Sequence, residues 1–170
     1  ETGLSGQVML VAAPAGFGKT TFISSWALCC AHPLAWVSLD ENDNELGVFL
    51  SYFLAAIQTI FPDTMQETQA LLVASPLPPI TAIANKLINE LNQLEGRFIL
   101  VLDDYHLIES QSIHDLLQAL LQYPPGNLHL VLGTRSDPSL PLVILRAKSQ
   151  VTEIRIQDLR FNRGETQQLL

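Results

Sequence analysis

The stretch that decides the fold is VMLVAAPAGFGKTT, residues 8–21. Its apolar start predicts a buried strand over Val8–Ala12, and the loop that follows contains Pro and Gly and cannot continue a strand. From Lys19 onward, apolar residues recur at helical spacing, which predicts a helix. A strand, a small-residue loop ending in Gly-Lys-Thr and a helix together form the arrangement of a phosphate-binding loop.

The residue types of this loop suit phosphate chemistry. Small residues let backbone N–H groups converge on phosphate oxygens, and the unpaired amides of the new helix add further donors. Lys19 supplies a positive charge for the β- and γ-phosphates, and the hydroxyl of Thr20 is a ligand for Mg²⁺. We therefore predict that nucleotide phosphates are bound by Pro14, Ala15, Gly16, Phe17, Gly18, Lys19, Thr20 and Thr21.

One residue departs from the pattern G-x-x-x-x-G-K-[ST], because Ala13 stands where the first glycine is expected. The alternative interpretation is a turn that happens to contain Gly-Lys-Thr. The strand before the loop and the helix after it favour the phosphate site.

Composition excludes several classes of protein. The chain has 170 residues and is 48% hydrophobic, which suits one domain with a continuous core. Its net charge is −8 and its few basic residues are scattered, which argues against direct binding of nucleic acid. No apolar stretch approaches the roughly 18 residues that a membrane-spanning helix needs, so we expect a soluble, cytoplasmic protein without a membrane partner.

Adjacent cysteines, Cys29 and Cys30, stand near the end of the first predicted helix. Neighbouring thiols on a helix point to different faces, so we expect structural burial in a reducing compartment.

Strand and helix patterns alternate along the rest of the chain, which predicts an α/β fold with a parallel sheet in three layers. Further strands are predicted over 34–39, 98–102, 128–132 and 151–156, the last being polar enough for a sheet edge. Helices are predicted over 46–61, 80–94 and 142–147, with a short helix within 65–73 and the start of another over 164–170. Asn44 is a possible cap of the helix over 46–61, and a further helix is opened by Ser112 with Asp115 three residues later.

Two polar groups follow predicted strands and should meet at the carboxyl edge of the sheet. Asp103 is placed to orient Mg²⁺, and Asp104 to polarise an attacking water as a general base. The alternative is a pair of aspartates that start a turn. Arg135 could reach a γ-phosphate, or could be a surface arginine paired with Asp137.

Other polar residues give weaker signals. Asp40, Glu41 and Asp43 could position water or metal, or could simply form a capping loop. His106 could hydrogen-bond to Asp104, although a non-catalytic imidazole with its hydrogen bonds satisfied is the better interpretation. The remaining histidines lack metal-ligand spacing, so no zinc site is assigned. No Asn-Lys-x-Asp motif follows a strand, so adenine is favoured over guanine by default.

Five motifs, in this order and spacing, resemble the nucleotide-binding domain of MalT-like, LuxR-type large transcriptional regulators: VAAPAGFGKTTFISSWA, AWVSLDENDN, FILVLDDYHLI, LHLVLGTRSDPSLPL and DLRF. That family belongs to the signal-transduction ATPases with numerous domains, within the P-loop NTPases. The resemblance covers roughly residues 7–170, and the family tolerates Ala or Ser at the position of Ala13.

The resemblance implies a three-layer P-loop NTPase fold with five parallel strands in the order 5-1-4-3-2. It also implies ATP and ADP as ligands with Mg²⁺, slow hydrolysis, and a switch from an ADP-bound monomer to an ATP-bound oligomer. By matched position, Thr20 and Asp103 would hold the metal, Asp104 would be the hydrolytic carboxylate and Arg135 the sensor of the γ-phosphate.

The resemblance also predicts the organisation of the chain. We expect a nucleotide-binding domain over 4–160, the start of a truncated helical subdomain over 161–170, and a cloning remnant at 1–3. DNA would be bound only through a C-terminal domain outside these residues. Two other functions stay open, namely an efficient ATPase or phosphotransferase and a degenerate scaffold that no longer binds nucleotide.

Overall fold

The computed structural model describes residues 7–159. Within them, five parallel strands form one sheet in the order β2-β3-β4-β1-β5, which is the predicted 5-1-4-3-2 read from the other edge. The strands are β1 Val8–Ala12, β2 Leu34–Ser38, β3 Phe98–Asp103, β4 Leu128–Thr134 and β5 Val151–Arg155. The predicted fold class is confirmed, and β5 lies at a sheet edge as its polar sequence indicates.

Helices connect successive strands, as a parallel sheet requires. In the described part of the chain they are α1 Lys19–Leu28, α2 Leu46–Gln58, α3 Gln66–Leu72, α4 Ile80–Gln93, α5 Gln111–Gln122, α6 Leu142–Ala147 and α7 Ile156–Leu159. Short 3₁₀ turns cover Glu41–Asn44 and Tyr105–Leu107. β3 and β4 run further than their apolar residues, so that Asp103 and Thr134 are the last residues of strands.

Both faces of the sheet are covered, which explains why β1, β3 and β4 consist almost wholly of buried residues. Alternate strand residues point to opposite faces. Leu10 and Leu100 belong to the larger core, together with residues of α2, α4, α5 and α6. Met9 and Val101 belong to the smaller core, which also contains Ile23 of α1. The structure therefore has the three layers that the sequence predicts.

Two predicted helix caps are wrong. Asn44 does not cap α2; its carboxamide donates to Leu107 O at 2.9 Å and accepts from the backbone N–H groups of Glu109 and Ser110. It thereby fastens the loop after β3. The predicted pairing of Ser112 and Asp115 also fails, because α5 already begins at Gln111 and Ser110 precedes it. A side-chain cap depends on the backbone angle at which the chain enters the helix, which the residue types do not determine.

The N-terminus of α3 is capped by a residue distant in sequence. Glu90 of α4, 9% exposed, accepts hydrogen bonds from the backbone N–H of Glu67 at 3.0 Å and of Thr68 at 2.7 Å. The Thr68 hydroxyl donates to the same carboxylate at 2.5 Å. These contacts satisfy amides that begin α3 and would otherwise lack partners.

A buried pair of polar rings joins the turn after β3 to α5. The hydroxyl of Tyr105 lies 2.7 Å from Nδ1 of His114. Burial raises the pKa of Tyr105 and lowers that of His114, so both groups are neutral near pH 7, and the tautomer of the imidazole determines which of them donates. Protonation of His114 would place a positive charge in a buried position, with Nδ1 then donating to the Tyr105 hydroxyl.

The predicted burial of both cysteines is wrong for one of them. Cys29 follows α1 and is exposed, whereas Cys30 is partly buried, and burial raises its pKa. Both thiols are free. None of the helices described here is long and apolar enough to cross a membrane. The predictions for 1–3, 161–170 and the helix over 164–170 fall on residues outside the described range.

Candidate nucleotide-phosphate site

The loop between β1 and α1 adopts a backbone conformation that depends on its glycines. Gly16 and Gly18 have φ angles of 82° and 74°, in the left-handed region that a Cβ disfavours. Ala13 has no positive φ angle; its N–H donates to Thr134 O at 3.2 Å and continues the pairing of β1 with β4. An alanine therefore fits at the position where the motif usually has its first glycine.

Lys19 begins α1 and folds back over the loop. Its side chain is buried, and Nζ donates to the carbonyl oxygens of Ala13 at 2.9 Å and Pro14 at 3.3 Å. The ammonium group is thus held beside the loop by neutral acceptors. An anion in this position would offer it a stronger, charge-assisted partner.

The ends of α1 and β3 meet through one hydrogen bond. The Thr20 hydroxyl donates to Oδ2 of Asp103 at 2.7 Å, and Oδ1 of Asp103 accepts from the N–H of Asp104 at 3.0 Å. Asp103 is 3% exposed, so its orientation is determined by these contacts. The structure therefore brings together the two residues predicted to hold Mg²⁺.

A cavity of about 350 Å³ opens over the loop. It is lined by Ala15, Gly16, Gly18, Lys19, Thr20, Asp104 and Arg135. Residues from the β1–α1 loop, from the end of β3 and from the end of β4 thus converge at the carboxyl edge of the sheet, where ligands of parallel α/β folds bind. Among the other predicted phosphate-binding residues, Pro14, Phe17 and Thr21 lie outside this lining.

The two side chains predicted to act on the γ-phosphate face the cavity. Asp104 has a left-handed backbone (φ 58°), and its carboxylate is 44% exposed. Arg135 is exposed and lines the same cavity. The alternative in which Arg135 pairs with Asp137 is not what the structure shows, because Asp137 pairs with Arg146 and Arg155 instead.

His106 lies behind Asp104. Its Nδ1 is 3.8 Å from Oδ1 of Asp104, which is too long for a hydrogen bond. Within the described residues, both ring nitrogens are buried without a hydrogen-bond partner, so the predicted imidazole with satisfied hydrogen bonds is wrong. Burial lowers the pKa of His106, and the positive charge of Arg135 lowers it further. The imidazole is therefore neutral near pH 7.

The acidic segment after β2 forms a capping structure. The Asp40 carboxylate accepts from the N–H of Asn42 at 2.6 Å, and the Asp43 carboxylate accepts from the N–H of Asp40 at 2.8 Å. Of the two interpretations of these acidic residues, the structure supports the capping loop.

Gly133 in β4 also shapes the site, although it is not among the residues predicted from the sequence. A Cβ added at this position would overlap Oδ1 of Asp103 and would lie 3.2 Å from Cδ1 of Ile23. Only glycine leaves room for the Asp103 carboxylate beside β4. The sequence does contain an indication of this role, because a glycine inside an apolar strand often marks the close approach of another group.

Known transcriptional regulators are similar to this chain in sequence. The chain is 38% identical over 162 residues to the HTH-type transcriptional regulator MalT of Yersinia pestis, and 37% identical to MalT of Yersinia enterocolitica. Each alignment covers 95% of this chain and 18% of the relative, so the chain spans under a fifth of their length. No family model matches the chain.

Solved structures share the fold at low sequence identity. The Walker-type ATPase PABY2304 of Pyrococcus abyssi is 15% identical with a TM-score of 0.56, covering 95% of this chain and 51% of that one. A Drosophila ORC chain, solved bound to DNA, is 17% identical with a TM-score of 0.54, covering 96% and 40%. The chain is therefore similar in sequence to one segment of the MalT-type regulators, as its motifs predict, and it has the fold of the P-loop ATPases.

Proposed function

We propose that this chain is the ATP- and ADP-binding core of a signal-responsive transcriptional regulator. In this proposal it acts as a nucleotide-dependent conformational and oligomerisation switch that hydrolyses ATP slowly. The observation that carries the proposal is the hydrogen bond of 2.7 Å between Asp103 and Thr20, which lines a cavity together with Lys19 and Arg135. A hydroxyl, a carboxylate and two cations are the groups that Mg²⁺ and a polyphosphate require.

The phosphate chain would be bound by the loop and Lys19. Gly16 and Gly18 have the conformations that turn backbone N–H groups toward a single anion. Lys19 would exchange its two carbonyl acceptors for phosphate oxygens, which is a short movement for a side chain already beside the loop. A regulator that has lost its nucleotide would have no need to bury a lysine in this place.

The residues at the base of the cavity fit a magnesium ion. Thr20 and Asp103 offer oxygen ligands, which hard cations prefer, and the space beside Gly133 accommodates the carboxylate. When bound, Mg²⁺ would neutralise charge on the β- and γ-phosphate oxygens. The protein's contribution is to hold the hydroxyl and the carboxylate together before the ion arrives.

Hydrolysis of ATP, and detection of whether a γ-phosphate is present, would depend on two further side chains. Asp104 is exposed enough to accept a proton from water at the cavity. Arg135 offers parallel N–H donors that suit a terminal phosphate, which ATP has and ADP lacks. The two nucleotides would therefore differ in whether Arg135 is engaged, and this difference is the basis of the switch.

The partners follow from the family. Adenine nucleotide is the proposed ligand, self-association would accompany the ATP state, and DNA would be bound through a domain outside these residues. The net charge of −8 is consistent with a segment that does not bind DNA itself.

Calorimetric titration of Mg-ATP and Mg-ADP tests binding. Lys19→Ala should weaken both affinities by about tenfold or more, because it removes a charge-assisted contact to phosphate. Lys86→Ala is the matched control, since Lys86 lies on the surface of α4 and pairs with Glu67. No binding by a folded parent chain would refute the proposal and favour a degenerate scaffold. Equal affinities for Lys19→Ala and the parent chain would show that nucleotide binds elsewhere and would refute the proposed phosphate site.

A second variant tests the role of hydrolysis. Asp104→Asn should retain ATP binding while phosphate release falls. Fast turnover by the parent chain would instead favour the efficient ATPase. An unchanged rate in Asp104→Asn would remove this carboxylate from the reaction.

A further inference from the structure

Four charged side chains form an ion-pair cluster beside the phosphate cavity, which we name the Asp137 cluster. It consists of Asp137, Arg146, Glu153 and Arg155. Arg146 contacts Asp137 at 3.1 Å and Glu153 at 2.8 Å, and its Nε donates to the second oxygen of Glu153 at 3.1 Å. Arg155 also donates to both carboxylates. Each cation therefore contacts both anions.

The Asp137 cluster joins three parts of the fold. Asp137 lies in the loop after β4, Arg146 lies in α6, and Glu153 and Arg155 lie in β5. β5 is the edge strand that pairs with β1, the strand leading into the phosphate loop. The cluster thus fastens the loop after β4 to the same edge of the sheet that positions the phosphate loop.

Arg135 lies between two fixed points of that loop. Before it, Thr134 is fully buried at the end of β4, and its hydroxyl donates to Ser136 O at 2.8 Å. After it, Asp137 is held by two arginines. Arg135 itself makes no ion pair with any described residue. Its position at the cavity therefore depends on how its backbone is held.

The arginines of the Asp137 cluster stabilise the charged forms of its two carboxylates. Hydrogen bonds from Arg155 and Arg146 lower the pKa of Asp137, and those from Arg146 and Arg155 lower that of Glu153. Isolated surface ion pairs hold a loop weakly, whereas a network with a bidentate contact restricts it more. The cluster is therefore able to set the conformation of the adjoining loop.

We propose that Asp137 is a positioning residue for Arg135: its ion pairs with α6 and β5 hold the loop so that the Arg135 guanidinium faces the phosphate cavity. This inference rests on the proposed function. Because β5 runs directly into α7, the same contacts link the group that would detect a γ-phosphate to the segment that follows the sheet.

The proposal predicts a nucleotide-selective effect. Asp137→Asn removes the charge that holds the loop and frees Arg135 to move. Mg-ATP binding should weaken about three- to tenfold, while Mg-ADP binding should change less than about twofold, because ADP has no γ-phosphate for Arg135 to contact. Asp137→Glu, which retains the charge, should restore part of the ATP affinity. Arg146→Gln opens the cluster from α6 and should reproduce the effect.

A double-mutant cycle separates positioning from a structural role. In an Arg135→Ala background, Asp137→Asn should have no further effect on ATP affinity. Glu67→Gln is the control, since it breaks a surface ion pair with Lys86 instead of this cluster. Both affinities are measured by calorimetry on the whole chain.

The outcomes distinguish the two proposals. Equal losses for ATP and ADP, or an ATP effect that persists without Arg135, would overturn the positioning role and leave the proposed function standing. Absence of nucleotide binding by the folded parent chain would overturn both. The positioning role would be established if Asp137→Asn and Arg146→Gln weaken ATP binding selectively and if Asp137→Asn has no such effect in the Arg135→Ala background.

Discussion

Substitution of Gly133 by alanine should damage both the stability of the fold and its magnesium-dependent binding of nucleotide. The added Cβ would overlap Oδ1 of Asp103 and press on Cδ1 of Ile23 at 3.2 Å. β4 is fully buried and paired on both sides, so the backbone cannot retreat. The Asp103 carboxylate must rotate instead, and it then loses its contact of 2.7 Å with Thr20.

The magnitude follows from these contacts. Overpacking a buried site costs about 1–3 kcal/mol, and a hydrogen bond to a charged group contributes about 1.5–3 kcal/mol. We expect the free energy of unfolding to fall by about 3 kcal/mol, which lowers Tm by roughly 6–12 °C in a chain of this size. Urea denaturation followed by circular dichroism measures the first quantity, and a thermal scan measures the second.

Nucleotide binding gives an independent readout of the same substitution. With Mg²⁺ present, Gly133→Ala should weaken ATP binding at least about tenfold, whereas in EDTA the variant and the parent should bind alike. Gly126→Ala is the matched control, because nothing lies within 4 Å of a Cβ built there. Unchanged Tm and unchanged Mg-ATP affinity in Gly133→Ala would refute the close approach of Asp103 to β4.

Three further predictions address other parts of the fold. Glu90→Ala should lower the free energy of unfolding by about 2–3 kcal/mol in urea denaturation, since it leaves the N–H groups of Glu67 and Thr68 at the start of α3 unpaired; Glu67→Gln, which alters a side chain that is 63% exposed, should change it little, and equal effects would contradict the cap. Because burial lowers the pKa of His114 below its usual 6.5, the unfolded chain binds a proton first, so stability should be full above pH 6.5 and decline as pH falls below it. Denaturation midpoints from pH 7.5 to 5.5 should show this decline, and His114→Gln should reduce it, leaving the part due to His106, whose pKa burial also lowers; an undiminished decline in that variant would show that His114 is not responsible. Iodoacetamide should modify the exposed Cys29 before Cys30, whose pKa burial raises, and mass spectrometry that finds Cys30 modified first would contradict this order.

The elements of the fold could be predicted because their signals are local. The run Val8–Ala12 is apolar and β-prone, and the structure gives the strand the same bounds. α6 likewise covers Leu142–Ala147 as predicted. Helix and strand periods are properties of neighbouring residues, and a chain that alternates between them has few compact arrangements available.

Caps and pairings could not be predicted in the same way. Asn44 precedes α2 and has the residue type of a cap, yet it bonds to a loop more than 60 residues away. Glu90 caps α3 from another helix. Both cases depend on which polar group lies nearest after the helices pack. The partners are therefore not found at a fixed spacing in the sequence.

By itself, the sequence determined that a loop ending in Gly-Lys-Thr follows the first strand and that Asp103, Asp104 and Arg135 follow later strands at one edge of a parallel sheet. Only the tertiary structure decided which of these groups touch: that Thr20 donates to Asp103, that Gly133 makes room for that carboxylate, and that Asp137 is held by arginines of α6 and β5 and not by Arg135. The physical reason is the separation along the chain of the residues that interact. Strand and helix patterns arise between residues a few positions apart, whereas a contact of about 3 Å between side chains depends on the register of strands that are 30 or more residues apart in the chain.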